Sequence, residues 1–526
     1  MSVETLSRVS GECFQNGMSS KSQGRFGPSV VDAFRRITWY QVLWVVPGLV
    51  YLPLLDLPVT AYYHSPREVA GVFQALAFAQ DGFGALLYMT PHENLSAIHL
   101  HSLLSAPLVS LGYIEGGRFI SFIAAIATVL IVGNIAAELS GSQVAIVAPM
   151  LLWVQPLFAR FAFAFKPESL SIALTSLIVY VALRYDDSGE RRLFVGMLCL
   201  IPLATAVHLW EAVIALPVVA LLALRRQWRD VILTGAVTAG SLFLVSWLAA
   251  LKPMGPRNLT RNYATVSGSN WQLLFDIGWW FHWWPTSNPL DLMTGIDRLA
   301  FAPEWGITGV TLPLSLVLCC FFSYRAVKEQ TRFDVVMAAW FASGLAIPLG
   351  LTDGFSNHEY YIWALMVPLA ISGALVGRYM WESLQLCCSR RVAKATASIL
   401  LATLVIIGGF GGPLYHPFAA HHVAEELKQT SGQDVDTNWR VESAQAGVTL
   451  HQMGIEDPES IRFVGNFSSG YIDSHLFRTL VYGQFVVRER YYSGRYAPVV
   501  ANESMIEDCS AMVKQTSDDI VVSRCG

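Results

Sequence analysis

The chain has 526 residues; 53% are hydrophobic, 14% are charged, and the net charge is −4. Soluble domains average about 25% charged residues, so the composition excludes an ordinary soluble enzyme and reads as an integral membrane protein. The small net charge gives no support to a nucleic-acid partner.

Residues 1–36 are polar and carry Arg8, Lys21, Arg25, Arg35 and Arg36. The first apolar run follows without a small-residue cleavage pattern, so it reads as an anchor. A bilayer span needs about 20 mostly apolar residues. Hydropathy predicts spans near 37–56, 117–138, 142–162, 168–184, 193–207, 208–224, 230–251, 306–324, 334–353, 360–380 and 395–414, about eleven in all. The stretch 193–224 is either two short helices broken near His208–Glu211 or one long kinked helix.

Four short basic loops, 184–192, 225–229, 324–332 and 389–394, fall on one side together with the basic N-terminus. Basic loops face the cytoplasm. The N-terminus is therefore expected inside and the C-terminus outside, with outer loops at 57–116 and 252–305. Within the first loop, residues 85–116 place Glu93, His99 and His101 in an apolar background and predict an amphipathic helix on the outer surface. The second loop holds Trp271, Trp279, Trp280, Trp283, Trp284 and Trp305, which suits the membrane–water interface.

The expected organisation is a cytoplasmic tail 1–36, a transmembrane domain 37–416 and an external C-terminal domain 417–526. Short β-like runs at 461–467, 484–492 and 519–525 predict a small α/β fold for that last region. Cys509 and Cys525 lie there, where a disulfide is allowed outside the cytoplasm. The other cysteines have no metal-ligand spacing.

Ionisable residues near the hydrocarbon core are costly and mark functional candidates. Five clusters stand out, all toward the outer face: His64/Arg67/Glu68; His92–Glu93 with His99 and His101; Lys166-Pro167-Glu168 with Arg160; His208 with Glu211; and Asn357-His358-Glu359-Tyr360-Tyr361. Each also has an ordinary explanation: a solvated loop, helix capping at Pro167-Glu168, a structural polar pair at Glu211, or interfacial tyrosines. A divalent metal is possible but not indicated, because His99 and His101 stand two apart and point to different sides of a helix. Together the clusters describe a polar site that suits transfer of a sugar from a polyprenyl phosphate. A cation stabilises the departing phosphate, a carboxylate takes the acceptor's proton, and no nucleotide-binding loop is required.

The order of these features resembles the GT-C glycosyltransferases, in the branch of dolichyl-phosphate-mannose-protein mannosyltransferase-like and aminoarabinose-transferase-like proteins. HSPRE with Gln80-Asp81-Gly82 resembles the family's first outer loop. Glu93 with Arg118 opening the next span resembles its juxtamembrane helix and second span. Lys166-Pro167-Glu168 resembles its Pro-Asp/Glu element, and NHEYYIWALMVPLAISGAL its His-x-Tyr-Tyr helix. The match covers about residues 37–380. It implies an α-helical polytopic protein and a polyprenyl-phosphate-sugar-dependent transferase. Its partners would be the lipid-linked sugar, membrane lipids and a glycan, lipid or protein acceptor. The family's aspartate is missing from the first loop, where Glu68 is the remaining carboxylate. Glu68 is thus the expected base, with His64 as the alternative. Arg67, Lys166 and His358 would bind the donor phosphate. Glu93, Glu168, Glu359, Tyr360 and Tyr361 would hold the acceptor or sugar, the two tyrosines at the lipid-proximal mouth. The rival reading is a transporter or flippase of a lipid-linked glycan, which predicts ionisable groups near the midplane. Only His208 and Glu211 favour it. A third reading is a receptor or assembly protein acting through its C-terminal domain.

Overall fold

A computed structural model describes residues 39–49, 52, 55, 65–87, 99–251, 271–280, 303–352, 359–387, 446–455, 460–464, 499–500, 509–515 and 520–525. Helices dominate: α1 (Trp39–Leu49), α2 (Ser65–Asp81), α3 (Leu100–Ser110), α4 (Gly116–Ser140), α5 (Ser142–Val154), α6 (Pro156–Phe163), α7 (Glu168–Ser188), α8 (Arg191–Val207), α9 (Ala215–Leu224), α10 (Trp228–Leu251), α11 (Pro303–Glu329), α12 (Arg332–Gly350) and α13 (Met366–Cys387). Two 3-10 turns, Leu209–Ile214 and Glu359–Leu365, lead into α9 and α13.

Apolar runs rich in Val and Ile become helices here because hydrocarbon offers no partner for backbone N–H and C=O groups; a helix satisfies them internally. Six helices among the described residues are long and apolar enough to cross a bilayer, and α5 with α6 makes a seventh if its 74° bend is one broken span. The expected spans at 117–138, 168–184, 230–251, 306–324, 334–353 and 360–380 fall on those six, and 142–162 falls on the bent pair. In 193–224 the chain breaks at His208, whose backbone is extended, so two short elements form. The span at 395–414 lies outside the described residues, as does basic loop 389–394, and 37–56 is described over Trp39–Leu49 with residues 52 and 55.

α4 packs against α7, α5 and α3, while α12 packs against α9 and α11. The bundle's centre and rim differ in burial. α7 and α12 bury 67% of their apolar windows; α10 and α11 bury 17% and 22%. Phe243, Ile232 and Trp247 of α10 are exposed, as lipid-facing side chains are.

α4 and α7 run parallel, with their N-terminal ends side by side. Arg118 and Ser121 of α4 meet the chain just before α7, and Glu138 near the other end of α4 accepts a 3.1 Å hydrogen bond from Arg184. Twenty residues of helix separate Arg118 from Glu138, about 30 Å at 1.5 Å per residue, which is the hydrocarbon thickness of a bilayer. The Glu138 end carries a belt of ion pairs. Arg225 holds Asp186 through bonds of 2.6 and 2.9 Å, Arg332 bonds Asp187 at 2.5 Å, and Arg191 bonds Asp230 at 2.6 Å. Residues from three of the four basic loops therefore gather at one end of the bundle.

The C-terminal residues described form a four-stranded sheet of β1 (Ile461–Val464), β2 (Val499–Val500), β3 (Ala511–Gln515) and β4 (Ile520–Arg524), in order β2-β1-β3-β4. β1 is parallel to both neighbours, and β3 and β4 are antiparallel. The Cys509–Cys525 disulfide, allowed by the sequence, joins the open end of the β3–β4 pair.

Candidate functional site

The short connection between α6 and α7 gathers most of the candidate residues. α6 ends at Phe163, Ala164 is extended, and Pro167 is the N-cap of α7. The fixed φ of proline suits a helix start, and an acid in the first turn suits the helix dipole. Phe165, Lys166 and Glu168 are all buried, as is Arg160 one turn earlier. Burying three charges within nine positions demands a surrounding built to receive them.

That surrounding comes from α2, α3 and α4. Arg118 gives Nε to Glu68 Oε1 at 3.2 Å and Nη2 to Oε2 at 2.8 Å, a bidentate pair. Glu68 Oε1 also accepts from the Phe165 backbone N–H at 2.6 Å. The Phe165 ring sits where α2 and α4 lack side chains. A Cβ on Gly71 would come within 2.5 Å of the ring, and one on Gly117 within 1.8 Å. His101 meets the same ring edge-on at 5.3 Å.

A second path ends on the next residue. Ser121 Oγ donates to the Lys166 carbonyl at 3.1 Å and lies 2.9 Å from His101 Nε2. A hydroxyl has one proton, and the Lys166 carbonyl takes it. His101 must therefore be the donor to Ser121, which fixes the Nε2–H form. His101 was expected on a surface-lying helix. It is buried, because α3 packs on the apolar cluster of Val72, Phe73, Leu76 and Phe165.

On its other side the connection meets the two 3-10 turns. Ser171, one turn into α7, donates to Glu211 Oε1, and so does Trp363 Nε1. The His208 and Trp363 rings lie 4.6 Å apart. Tyr361 is buried, with its ring 6.0 Å from that of Trp363.

The structure thus brings together Glu68, His101, Lys166, Glu168, Glu211 and Tyr361, drawn from all five clusters. His64, Glu93 and His358 lie outside the described residues, as do the side chains of Arg67, Glu359 and Tyr360. Among the described residues no group of three His, Cys, Asp or Glu side chains could hold a metal. Sequence reasoning left Arg118 out of the site. An arginine opening an apolar span was its signal, but the partner 50 positions away was not readable.

Residues 108–249 match the family model of dolichyl-phosphate-mannose-protein mannosyltransferase. That segment holds Arg118, Lys166, Glu168 and Glu211. ArnT from Cupriavidus metallidurans, bound to undecaprenyl phosphate, superposes with a TM-score of 0.50 at 14% identity, covering 90% of this chain and 92% of that one. The Archaeoglobus fulgidus oligosaccharyltransferase tethered to an acceptor peptide superposes with a TM-score of 0.51 at 12% identity, covering 91% and 69%. In fold the chain is similar to the GT-C proteins of the protein-mannosyltransferase and ArnT type. It spans 61% of the length of the archaeal enzyme in its Zn and sulfate complex, at a TM-score of 0.48 and 11% identity. Among curated proteins none matches the chain in sequence. Within this GT-C frame, the charged turn between α6 and α7 is the feature with chemistry to explain.

Proposed function

We propose that the chain is a glycosyltransferase that moves a sugar from a polyprenyl-phosphate donor to an acceptor on the extracytoplasmic side of the membrane. The observation that carries this reading is the buried, charged Phe165–Glu168 turn at one end of a GT-C bundle. Undecaprenyl phosphate in the ArnT structure supports the donor class.

In the reaction the acceptor oxygen attacks the anomeric carbon, its proton passes to a base, and the sugar–phosphate bond breaks with inversion. Polyprenyl phosphate leaves with the electron pair. Lys166, with Arg67 and His358, neutralises that charge. Glu168, with Glu93, Glu359, Tyr360 and Tyr361, orients the acceptor or sugar. A base must come within hydrogen-bond reach of the proton it takes. Glu68 is 1% exposed and accepts from Arg118 and Phe165. We therefore read Glu68 as the fastener of the turn and pass the base's role to His64, the second candidate in the same loop.

The sidedness rests on two supports. Disulfides persist outside the reducing cytoplasm, and Cys509–Cys525 lies in the C-terminal region 417–526, read as an external domain. Basic loops prefer the cytoplasm, and theirs is the opposite end from the charged turn.

The test is transfer of labelled sugar from a polyprenyl-phosphate donor by the purified chain in nanodiscs. H64A should lose about 100-fold or more in rate, the size of a general-base contribution. K166A should lose rate as well. Full activity in both variants would remove the assignment.

A further inference from the structure

Glu211 belongs to none of the roles above, yet it is 1% exposed in the middle of an apolar stretch. A carboxylate buried this deeply needs donors, and it has two. Ser171 and Trp363 both donate hydrogen bonds to Oε1. Ser171 stands three residues after Glu168, on the same face of α7, and its own N–H bonds the Pro167 carbonyl at 2.9 Å. Trp363 lies in the 3-10 turn Glu359–Leu365, which also contains Tyr361. Glu211 itself is held at the break after α8, where its N–H bonds the His208 carbonyl at 2.9 Å. One oxygen atom therefore joins the start of α7 to the turn before α13, 152 positions from Trp363 along the chain.

We propose that Glu211 is a positioning residue, fastening the Lys166-Pro167-Glu168 turn to the Glu359–Leu365 turn so that the two halves of the site keep a fixed separation. This rests on the glycosyl-transfer reading for its purpose, though not for its geometry. The role needs an acceptor oxygen and does not need a charge. Glutamine keeps that oxygen. Leucine, of similar size, removes it and strands two buried donors.

Two measurements on the full chain in nanodiscs separate the possibilities. Amide hydrogen exchange needs no substrate. E211L should raise exchange at 166–171 and 359–365 together, by about tenfold or more, and E211Q should leave both near wild type. Sugar transfer from the polyprenyl-phosphate donor should then lose kcat by about tenfold or more in E211L with KM for the donor little changed, and recover in E211Q. Equal loss in E211Q and E211L would overturn the proposal, since the charge would then matter. Unchanged exchange in E211L would overturn it whatever the transfer assay reads. A wild-type chain that transfers no sugar, while E211L loosens both turns, would remove the glycosyltransferase reading and support the tie. If E211L does not fold, S171A and W363F each delete one bond. Each should loosen its own turn, and no change in either overturns the proposal.

Discussion

Arg118 holds Glu68 through two parallel hydrogen bonds, although the residues stand 50 positions apart and neither side chain is more than 1% exposed. Removing one partner of a buried pair leaves the other charge uncompensated, at a cost of about 3–5 kcal/mol. R118L and E68L should each lower the unfolding midpoint sharply. The double variant E68L/R118L should regain much of that loss, because an apolar pair of similar volume suits the interior. Thermal unfolding of the three variants checks this. Sugar transfer should stay low in the double variant, since the Phe165 N–H has then lost its acceptor.

Gly117 is the closest approach to Phe165. Its Cβ would overlap the ring at 1.8 Å, so G117A should cost about 1–3 kcal/mol, as overpacking does, and displace the turn. Trimming the obstacle should rescue it: G117A/F165L should be more stable than G117A alone. Gly196 in α8 has open space around it, and G196A should be neutral or stabilising by up to about 1 kcal/mol. Unfolding midpoints decide both cases.

The Cys509–Cys525 bridge encloses a 16-residue separation. Closing a loop of that size contributes about 3 kcal/mol in the chain-entropy picture. C509S/C525S should lower the resistance of the C-terminal region to proteolysis by a matching amount. Alkylation should leave both sulfurs unmodified in unreduced protein and label them after reduction.

At the opposite end of the bundle, the pairs differ in how much they join. Among the described residues Arg192 bonds neighbouring Glu190, and it is 82% exposed, so R192A should change stability by less than about 1 kcal/mol. Arg332 reaches Asp186, Asp187, Glu138 and the Leu183 carbonyl, linking α12 to α7 and α4. R332A should cost clearly more than R192A. If these loops face the cytoplasm, a cysteine placed at Arg226 should resist a membrane-impermeant thiol reagent in intact cells and react after lysis.

Local pattern was enough for much of the fold. Apolar length and low charge predict the helices that became α4, α7, α10, α11, α12 and α13, because in hydrocarbon a run of that length has helix as its stable answer. Basic loops predict that Arg184, Arg225 and Arg332 share one end, since alternation of spans dictates it. Lys166-Pro167-Glu168 is readable as a helix start with an odd charge beside it, and the order of such motifs carries the resemblance to GT-C proteins.

Partners across long separations belong to the tertiary structure. Glu68 looks like a free carboxylate in an exposed loop until folding sets Arg118 and the Phe165 N–H around it. His101 looks amphipathic until α3 docks and its Nε2–H finds Ser121 Oγ as acceptor. Glu211 looks like a stray buried acid until Ser171 and Trp363 converge on one of its oxygens. The physical reason is the same in each case. A charge inside a bundle is tolerated only with its donors in place, and those donors come from helices whose mutual packing no single stretch of sequence encodes.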